Sequence, residues 1–229
     1  MMPMFDPLSM MLLLPAVLLA IYAQSRVQSS FARYSEIYAS RGVSAEVVSR
    51  RLLDDFGLQN VRIERVRGNL TDHYDPRSKV LRLSDSVSGN SSIAAIGVAA
   101  HEVGHAVQDK EGYAPLRFRN SLVPVVNIGS TAAIPLFFLG ILMSVPSLVN
   151  VGILLFSGVV IFHLVTLPVE FDASSRALKL LAGTGTLNQQ EIAGAKKVLD
   201  AAALTYVAAT LMAVMQLLSL IIRSRGRRD

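Results

Sequence analysis

A run of fifty residues without one charged side chain, residues 120–169, constrains the fold of this chain more than any other feature. A helix needs about 20 apolar residues to cross a bilayer, so this run is long enough for two spans. Pro146 and its neighbours in residues 144–147 interrupt the run and predict a tight helical hairpin. Two shorter charge-free runs, residues 7–25 and 201–222, predict one further transmembrane or membrane-associated helix each. The sequence therefore predicts a mainly α-helical membrane protein with about four transmembrane helices.

These apolar runs do not fit the core of a soluble protein. Hydrophobic residues make up 52% of the 229 residues, and the 94 residues of the main polar segment, 26–119, cannot enclose four apolar helices of this length. We interpret the first run as a retained transmembrane anchor rather than a cleaved signal peptide, because no basic residue precedes it.

The distribution of lysine and arginine predicts the orientation of the chain in the membrane. Residues 26–119 hold fourteen of these side chains and residues 169–200 hold four, whereas the hairpin turn holds none. This bias places both polar segments on the cytoplasmic side. Four arginines in the basic tail, residues 223–229, conflict with it, because a fourth span would carry them across. Either the last apolar run does not cross fully or the opposite topology holds.

The charge balance predicts a lipid bilayer as partner and no nucleic acid. The net charge is +5, but the fourteen basic residues of the segment 26–119 are interleaved with eleven acidic ones, as on a solvated surface. Basic side chains next to the spans suit anionic lipid head groups; they are Arg26, Arg33, Arg117 and Arg119. The chain has no cysteine, which excludes disulfides and thiol ligands.

The sequence His-Glu-Val-Gly-His at residues 101–105 predicts a metal site. His101 and His105 are four residues apart and share one face of a helix, so both can bind the same zinc ion. Glu102 is then placed to act on a water at the metal rather than to bind the metal. The preceding Ala-rich stretch predicts a buried helix over residues 92–109, with Ser91 or Ser92 as its N-cap.

A catalytic zinc site usually has three protein ligands, so one more is expected. Glu170 ends the long charge-free run and begins a predicted helix that continues to about residue 181, and we predict it as the third ligand. His163 lies about 10 Å from Glu170 along a helix axis, so we interpret it as a packed intramembrane histidine. His73 lies in a polar segment, residues 71–76, that is predicted to be a loop.

The polar segment 26–119 is predicted to be a small α+β domain. A polar helix extends the first span to about residue 40, and a second helix begins after Ser44 as N-cap and ends at Gly57. Strands follow at residues 61–66 and 79–83. The second strand is a candidate edge on which an extended peptide could pair, or else plain scaffold.

Four stretches carry a resemblance that covers nearly the whole chain: residues 70–77, 101–108, 167–173 and 204–209. They resemble the YugP-like neutral zinc metallopeptidases, which are integral-membrane gluzincins of bacteria. The layout is more distantly similar to the HtpX-like proteases and the CAAX prenyl proteases. The resemblance implies a multi-pass protein of the cell membrane with a zincin-like domain over residues 26–119.

The same resemblance implies one Zn²⁺ per chain, with His101 and His105 as ligands and Glu102 as the catalytic base. It also implies that Glu170, in the helical segment 170–200, is the third ligand. The wider group has an aspartate four residues after this glutamate, where this chain has Ser174. Asp172 is the candidate substitute for that aspartate.

The function predicted from these features is that of a zinc metalloendopeptidase acting on peptides or membrane proteins, with membrane-protein quality control suggested by analogy. His73, Tyr74 and Tyr206 are the candidate stabilisers of the oxyanion. The alternative is an inactive membrane scaffold or chaperone whose structural zinc is closed by a fourth ligand, with His73 as the obvious choice. Glu102 would have no use in a closed site, which favours hydrolysis.

Overall fold

The computed structural model describes residues 7–225 of the chain, and this part is mostly helical. The last residues of the predicted basic tail, including Arg227 and Arg228, lie outside the described residues. Six helices and three short strands make up the described part. They are α1 (Pro7–Ser35), α2 (Ala45–Asp55), β1 (Arg62–Val66), β2 (His73–Asp75), β3 (Val80–Ser84), α3 (Ile93–Lys110), α4 (Ala114–Leu142), α5 (Pro146–Gly183) and α6 (Gln189–Arg225).

Four of these helices are long and apolar enough to cross a membrane, as predicted. They are α1 from Met10 onward, α4, α5 and α6. Two predicted boundaries are wrong. The helix that carries Glu170 does not begin after Pro168, because α5 runs unbroken through that proline. α6 likewise continues through residues 200 and 201. Long apolar helices tolerate an internal proline because neighbouring groups satisfy the freed backbone carbonyl.

The chain divides into two compact units. One contains the residues up to Ala23, Arg117–Pro168 and the residues from Thr205 onward, and we call it the apolar unit. The other contains Gln24–Leu116 and Val169–Leu204, and we call it the polar unit.

Within the apolar unit, glycines allow α4 and α5 to pack closely as a hairpin. A Cβ at Gly152 would lie 2.8 Å from the carbonyl oxygen of Ala133, and one at Gly140 would lie 2.6 Å from the amide nitrogen of Val149. Helices in a bilayer associate through such small residues because van der Waals contact, rather than the hydrophobic effect, drives their packing. The predicted turn is confirmed, since α4 ends at Leu142 and α5 begins at Pro146.

The C-terminal end of α6 lies beside the turn of this hairpin. Arg223 and Ser224 line one cavity of about 260 Å³ together with Ser144 and Asn150 of the turn region. Leu220 packs deeper in the same unit, in a cluster with Phe137 and Ile141. The last apolar run therefore extends along the full length of the hairpin, and it brings Arg223 to the hairpin turn.

The polar unit is built around α3, which packs against α2 and the sheet. Val48 and Leu52 of α2, Leu81 of β3 and Ala99 and Val103 of α3 are buried in one core. Both predicted N-caps are confirmed: the Ser44 side chain accepts from the Val47 N–H, and the Ser92 side chain accepts from the Ala95 N–H. These caps satisfy backbone donors that the first turn of a helix leaves free.

The sheet has the order β1-β3-β2, with β1 parallel and β2 antiparallel to β3. Of the two alternatives for residues 79–83, the candidate edge is wrong and plain scaffold agrees with the structure; the predicted loop around His73 is also wrong. The strand near residues 79–83 is central rather than an edge, since β3 pairs on both sides and four of its five residues are buried. The segment around His73 is not a loop but forms β2, an edge strand of the described sheet. The first helix also ends at Ser35 rather than near residue 40.

Candidate metal centre

Three ligand atoms of the polar unit converge between α3 and α5. Glu170 Oε2 lies 3.2 Å from His101 Nε2 and 3.5 Å from His105 Nε2. Two ligands of a tetrahedral zinc ion with bonds near 2.0–2.1 Å stand about 3.3 Å apart, so this spacing fits zinc. Within residues 7–225, no other group of three histidine, cysteine or carboxylate side chains comes together in this way.

The absence of a side chain at Gly104 lets the two helices approach at this point. A Cβ on Gly104 would lie 2.5 Å from the carbonyl oxygen of Ala173. Glu170 lies one helical turn before Ser174 on α5 and is 2% exposed. Close packing of the helices therefore brings a buried carboxylate up to the two imidazoles of α3.

Each imidazole is braced through its other ring nitrogen. His101 Nδ1 lies 3.0 Å from Ser174 Oγ, and His105 Nδ1 lies 3.0 Å from Gln108 Oε1. Such contacts set the ring orientation and leave Nε2 of each ring facing Glu170, where a metal ion could be held. Ser174 therefore contacts His101 from the position where the wider group has aspartate.

Asp172 does not touch either histidine directly. Gln108 Nε2 donates to Asp172 Oδ2 at 2.8 Å and to the carbonyl oxygen of Val169 at 2.9 Å. Asp172 in turn accepts from Arg176 Nε at 2.5 Å. Reasoning from the sequence missed Gln108, although its place three residues after His105 puts it on the same helix face.

The pKa of His105 is raised above its usual value. Burial lowers it, but the hydrogen bond to Glu170 and the negative charges of Glu102 and Glu170 outweigh burial. The site therefore favours positive charge. The carboxylates that stabilise a proton on His105 would also stabilise a bound metal ion.

Glu102 is 9% exposed and lies between α3 and the edge strand β2. Its Oε2 accepts a hydrogen bond from the backbone N–H of Tyr74 at 3.0 Å. The Tyr74 hydroxyl donates to Asp109 Oδ2 at 2.7 Å, and Lys79 Nζ contacts the same oxygen at 2.5 Å. Burial first, and then the Asp109 contact, raises the pKa of Tyr74 above its usual value. The phenol thus stays neutral and anchors β2 to α3.

Within the polar unit, neither His73 nor the Tyr74 hydroxyl joins the three ligand atoms. His73 is exposed on β2, with Nδ1 2.9 Å from the carbonyl oxygen of Thr71. The Tyr74 hydroxyl is engaged by Asp109. Tyr206 belongs to the apolar unit, in α6, as does His163 of α5. His163 is therefore placed among the apolar helices, as its interpretation as an intramembrane histidine expected.

Comparison with known proteins places this chain in a family. A family profile described as "Putative neutral zinc metallopeptidase" matches residues 9–225, which is most of the chain. The chain belongs to this family. The matched range includes His101, Glu102, His105 and Glu170, and the family description names the metal that the ligand spacing fits.

The metallopeptidase family assignment agrees with a curated relative. The chain is 47% identical to the "Putative membrane protease YugP" of Bacillus subtilis strain 168 over 218 residues, which cover 95% of this chain and 97% of the relative. No solved structure matches the chain. Together with the four apolar helices, these matches show a membrane protein of a zinc metallopeptidase family, as the sequence resemblance predicted.

Proposed function

We propose that this protein is a zinc-dependent endopeptidase of the cell membrane, with a zincin-like catalytic domain in the polar unit. The observation that carries the proposal is the convergence of His101 Nε2, His105 Nε2 and Glu170 Oε2 at zinc-ligand spacing. Glu102 follows His101 directly in the His-Glu-x-x-His pattern of metallopeptidases. The family match supports the same reaction class.

In this proposal His101, His105 and Glu170 hold one zinc ion per chain. Three protein ligands leave a fourth position for water or substrate, which is the arrangement of catalytic rather than structural sites. When bound, zinc supplies a Lewis acid that polarises the scissile carbonyl and lowers the pKa of the attacking water. The burial of Glu170 strengthens the electrostatic contacts of its carboxylate, because the local dielectric is lower than that of water.

Glu102 is the proposed general base and acid. Its carboxylate takes a proton from the attacking water and delivers it to the leaving amine as the peptide bond breaks. The Tyr74 N–H holds this carboxylate in place beside α3. The Tyr74 hydroxyl donates to Asp109 of α3, so β2 is tied to the helix that carries the base. The Tyr74 N–H therefore stays beside the Glu102 carboxylate.

The proposed substrate is an extended peptide or a segment of a membrane protein. An extended substrate could pair its backbone with β2 rather than with residues 79–83. β2 is the edge strand that contacts Glu102. The oxyanion needs a donor, and the exposed His73 on β2 remains a candidate, together with Tyr206. The Tyr74 hydroxyl is the weaker candidate because Asp109 already accepts its proton.

The predicted orientation, with the polar segments on the cytoplasmic side, is retained in the proposal. Arg223, one of the arginines that conflicted with it, lines the cavity at the hairpin turn, and the turn itself carries no charge. A role in the removal of damaged membrane proteins would suit a membrane enzyme with a cytoplasmic site, and it belongs to the proposal by analogy.

The proposal is tested with detergent-purified protein and quench-labelled casein as the probe. We expect wild type to cleave casein and to contain one zinc per chain by elemental analysis. Glu102→Gln should lose cleavage by at least about 100-fold and keep its zinc, whereas Glu36→Gln, at an exposed glutamate in the linker after α1, should behave as wild type. Full cleavage by Glu102→Gln would refute the assigned base.

The alternative, a scaffold or chaperone with a structural zinc, needs a closed site with four protein ligands. Within the described residues, His73 does not join the group of three, which favours the open, catalytic site. The two functions separate experimentally. A scaffold would retain zinc in the wild type and cleave nothing, and its zinc would be lost on His73→Ala.

A further inference from the structure

We propose that Gln108 is a positioning residue of the zinc site, which holds His105 in the metal-binding tautomer and links it to Asp172 on α5. The inference rests on the proposed function, since it concerns the zinc site that the endopeptidase would use. It adds a residue that neither the His-Glu-x-x-His pattern nor the third ligand identifies.

The contacts of Gln108 leave one chemical assignment. The carbonyl oxygen of Val169 can only accept a hydrogen bond, so the Gln108 side-chain atom 2.9 Å away must be the amide nitrogen. The carboxylate of Asp172, 2.8 Å from the same nitrogen, accepts its second hydrogen. The amide oxygen of Gln108 is thereby turned toward His105.

This assignment determines the tautomer of His105. Because Gln108 Oε1 accepts only, His105 Nδ1 carries the proton and donates across 3.0 Å. In the neutral imidazole, which is the form that binds a metal, the lone pair is then on His105 Nε2, the atom 3.5 Å from Glu170 Oε2. Gln108 therefore selects the form of the imidazole that binds a metal and fixes the plane of the ring.

Burial of Gln108 strengthens its preference for one tautomer of His105. The Gln108 side chain is completely inaccessible to solvent, so no water competes for its amide groups and the amide cannot turn over without leaving buried groups unpaired. Each hydrogen of the amide nitrogen and the oxygen has a partner. A buried amide with every group satisfied is rigid, which suits the orientation of a ligand.

The linkage continues to the surface of the polar unit through charged groups. Asp172 accepts from Arg176 Nε at 2.5 Å, and Arg176 Nη1 donates to Glu111 Oε2 at 2.5 Å. Arg176 holds Asp172 in the rotamer that meets Gln108. Asp172 is therefore a second positioning residue, and it acts on His105 through Gln108 rather than by direct contact.

The test measures zinc affinity by competition with a chromogenic chelator, using full-length protein in detergent. Gln108→Met keeps the side-chain length but removes both hydrogen-bonding groups, and we expect zinc to bind about 10–100-fold more weakly. Ser49→Ala is the matched control. Ser49 is fully buried in the same unit and hydrogen-bonds the carbonyl oxygen of Ala45, away from the site, so its loss should leave zinc affinity unchanged.

A rescue variant separates positioning from general support of the fold. In Gln108→Glu/Asp172→Asn the introduced carboxylate accepts from His105 Nδ1. The amide nitrogen of the introduced asparagine donates to that carboxylate, and its amide oxygen is left as the acceptor for Arg176. The donor to the carbonyl oxygen of Val169 stays lost. If Gln108 acts through His105, the double variant should bind zinc within about threefold of wild type.

Two results would overturn the positioning role. One is unchanged zinc affinity in Gln108→Met. The other is equal weakening of zinc binding in Gln108→Met and in the double variant, because both lack the hydrogen bond to the Val169 carbonyl oxygen. Absence of zinc binding in the wild type would overturn the proposed function itself. The two failures are thus distinguishable, because the positioning role is judged from variants of a chain that binds zinc.

Discussion

Gly104 and Ala173 are in contact across the zinc site, and a Cβ on Gly104 would lie 2.5 Å from the carbonyl oxygen of Ala173. Backbone at such a distance cannot give way as the end of a flexible side chain can. The glycine between the two histidines of α3 is thus what allows the helix with Glu170 to reach them.

Gly104→Ala should therefore separate α3 from α5 and weaken both the fold and the metal site. Overpacking costs about 1–3 kcal/mol, which exceeds the gain of about 1 kcal/mol expected from alanine in a helix. We expect a lower midpoint of thermal unfolding and a loss of bound zinc. Gly183→Ala, at the end of α5 with open space around the added Cβ, should lose neither. Wild-type zinc content in Gly104→Ala would contradict this packing argument.

Ser174 contacts His101 Nδ1 at 3.0 Å, and its replacement tests the brace on the first histidine. Ser174→Ala removes the partner of Nδ1 and should weaken zinc binding about 10-fold. Ser174→Asp places a charged acceptor at the same position and should bind zinc at least as tightly as wild type, because a hydrogen bond to a carboxylate is stronger. Chelator competition measures both, and weaker binding by the aspartate variant than by the alanine variant would count against the contact.

Tyr74 gives the stability of the polar unit a dependence on alkaline pH. Burial and the contact with Asp109 raise its pKa in the folded state, whereas an unfolded tyrosine ionises near pH 10. A raised pKa contributes stability that is fully present below the unfolded value and is lost as pH rises through the folded value. Wild type should therefore lose stability above about pH 10.

Tyr74→Phe lacks this titration and provides the comparison. At pH 8 it should be less stable than wild type by about 0.5–1.5 kcal/mol, the contribution of the lost hydrogen bond. The difference should shrink between pH 10 and pH 11.5, as measured by denaturant unfolding at each pH. The remaining tyrosines titrate equally in both proteins and cancel, so a constant difference would contradict the assignment.

The proposed orientation can be read directly because the chain contains no cysteine. Asn60→Cys labels an exposed position of the polar unit, and Ser147→Cys labels an exposed position next to the hairpin turn. With a membrane-impermeant maleimide on intact cells, we expect Ser147→Cys to react and Asn60→Cys to react only after permeabilisation. The reverse pattern would place the catalytic site outside the cell and reject the orientation.

The sequence predicted those parts of the protein that depend on local patterns. The periodicity of α3, its Ser92 cap and the spacing of His101 and His105 are set within a few helical turns, and the structure agrees with each. The apolar runs predicted four long helices for the same reason. The charged residue that ends the long charge-free run indicated Glu170, and the structure brings this carboxylate beside the two histidines.

The remaining features depend on contacts between distant segments. No pattern within residues 79–83 shows that β3 pairs with two strands, because alternation describes the faces of a strand and not its neighbours. Gln108 gains its role from Val169 and Asp172, more than 60 residues later, and its neighbours in sequence do not show this. Pro168 by itself predicts the start of a helix, whereas α5 continues through this residue in the structure.

The place of Glu170 on α5 has a consequence for the newly made protein. The two histidines of α3 are synthesised first, and Glu170 follows only after all of α4 and most of the apolar part of α5. A chain synthesised only as far as α3 holds two of the three proposed zinc ligands and the proposed base Glu102. In the proposed function, the three-ligand site therefore cannot form during synthesis until the hairpin of α4 and α5 has been made.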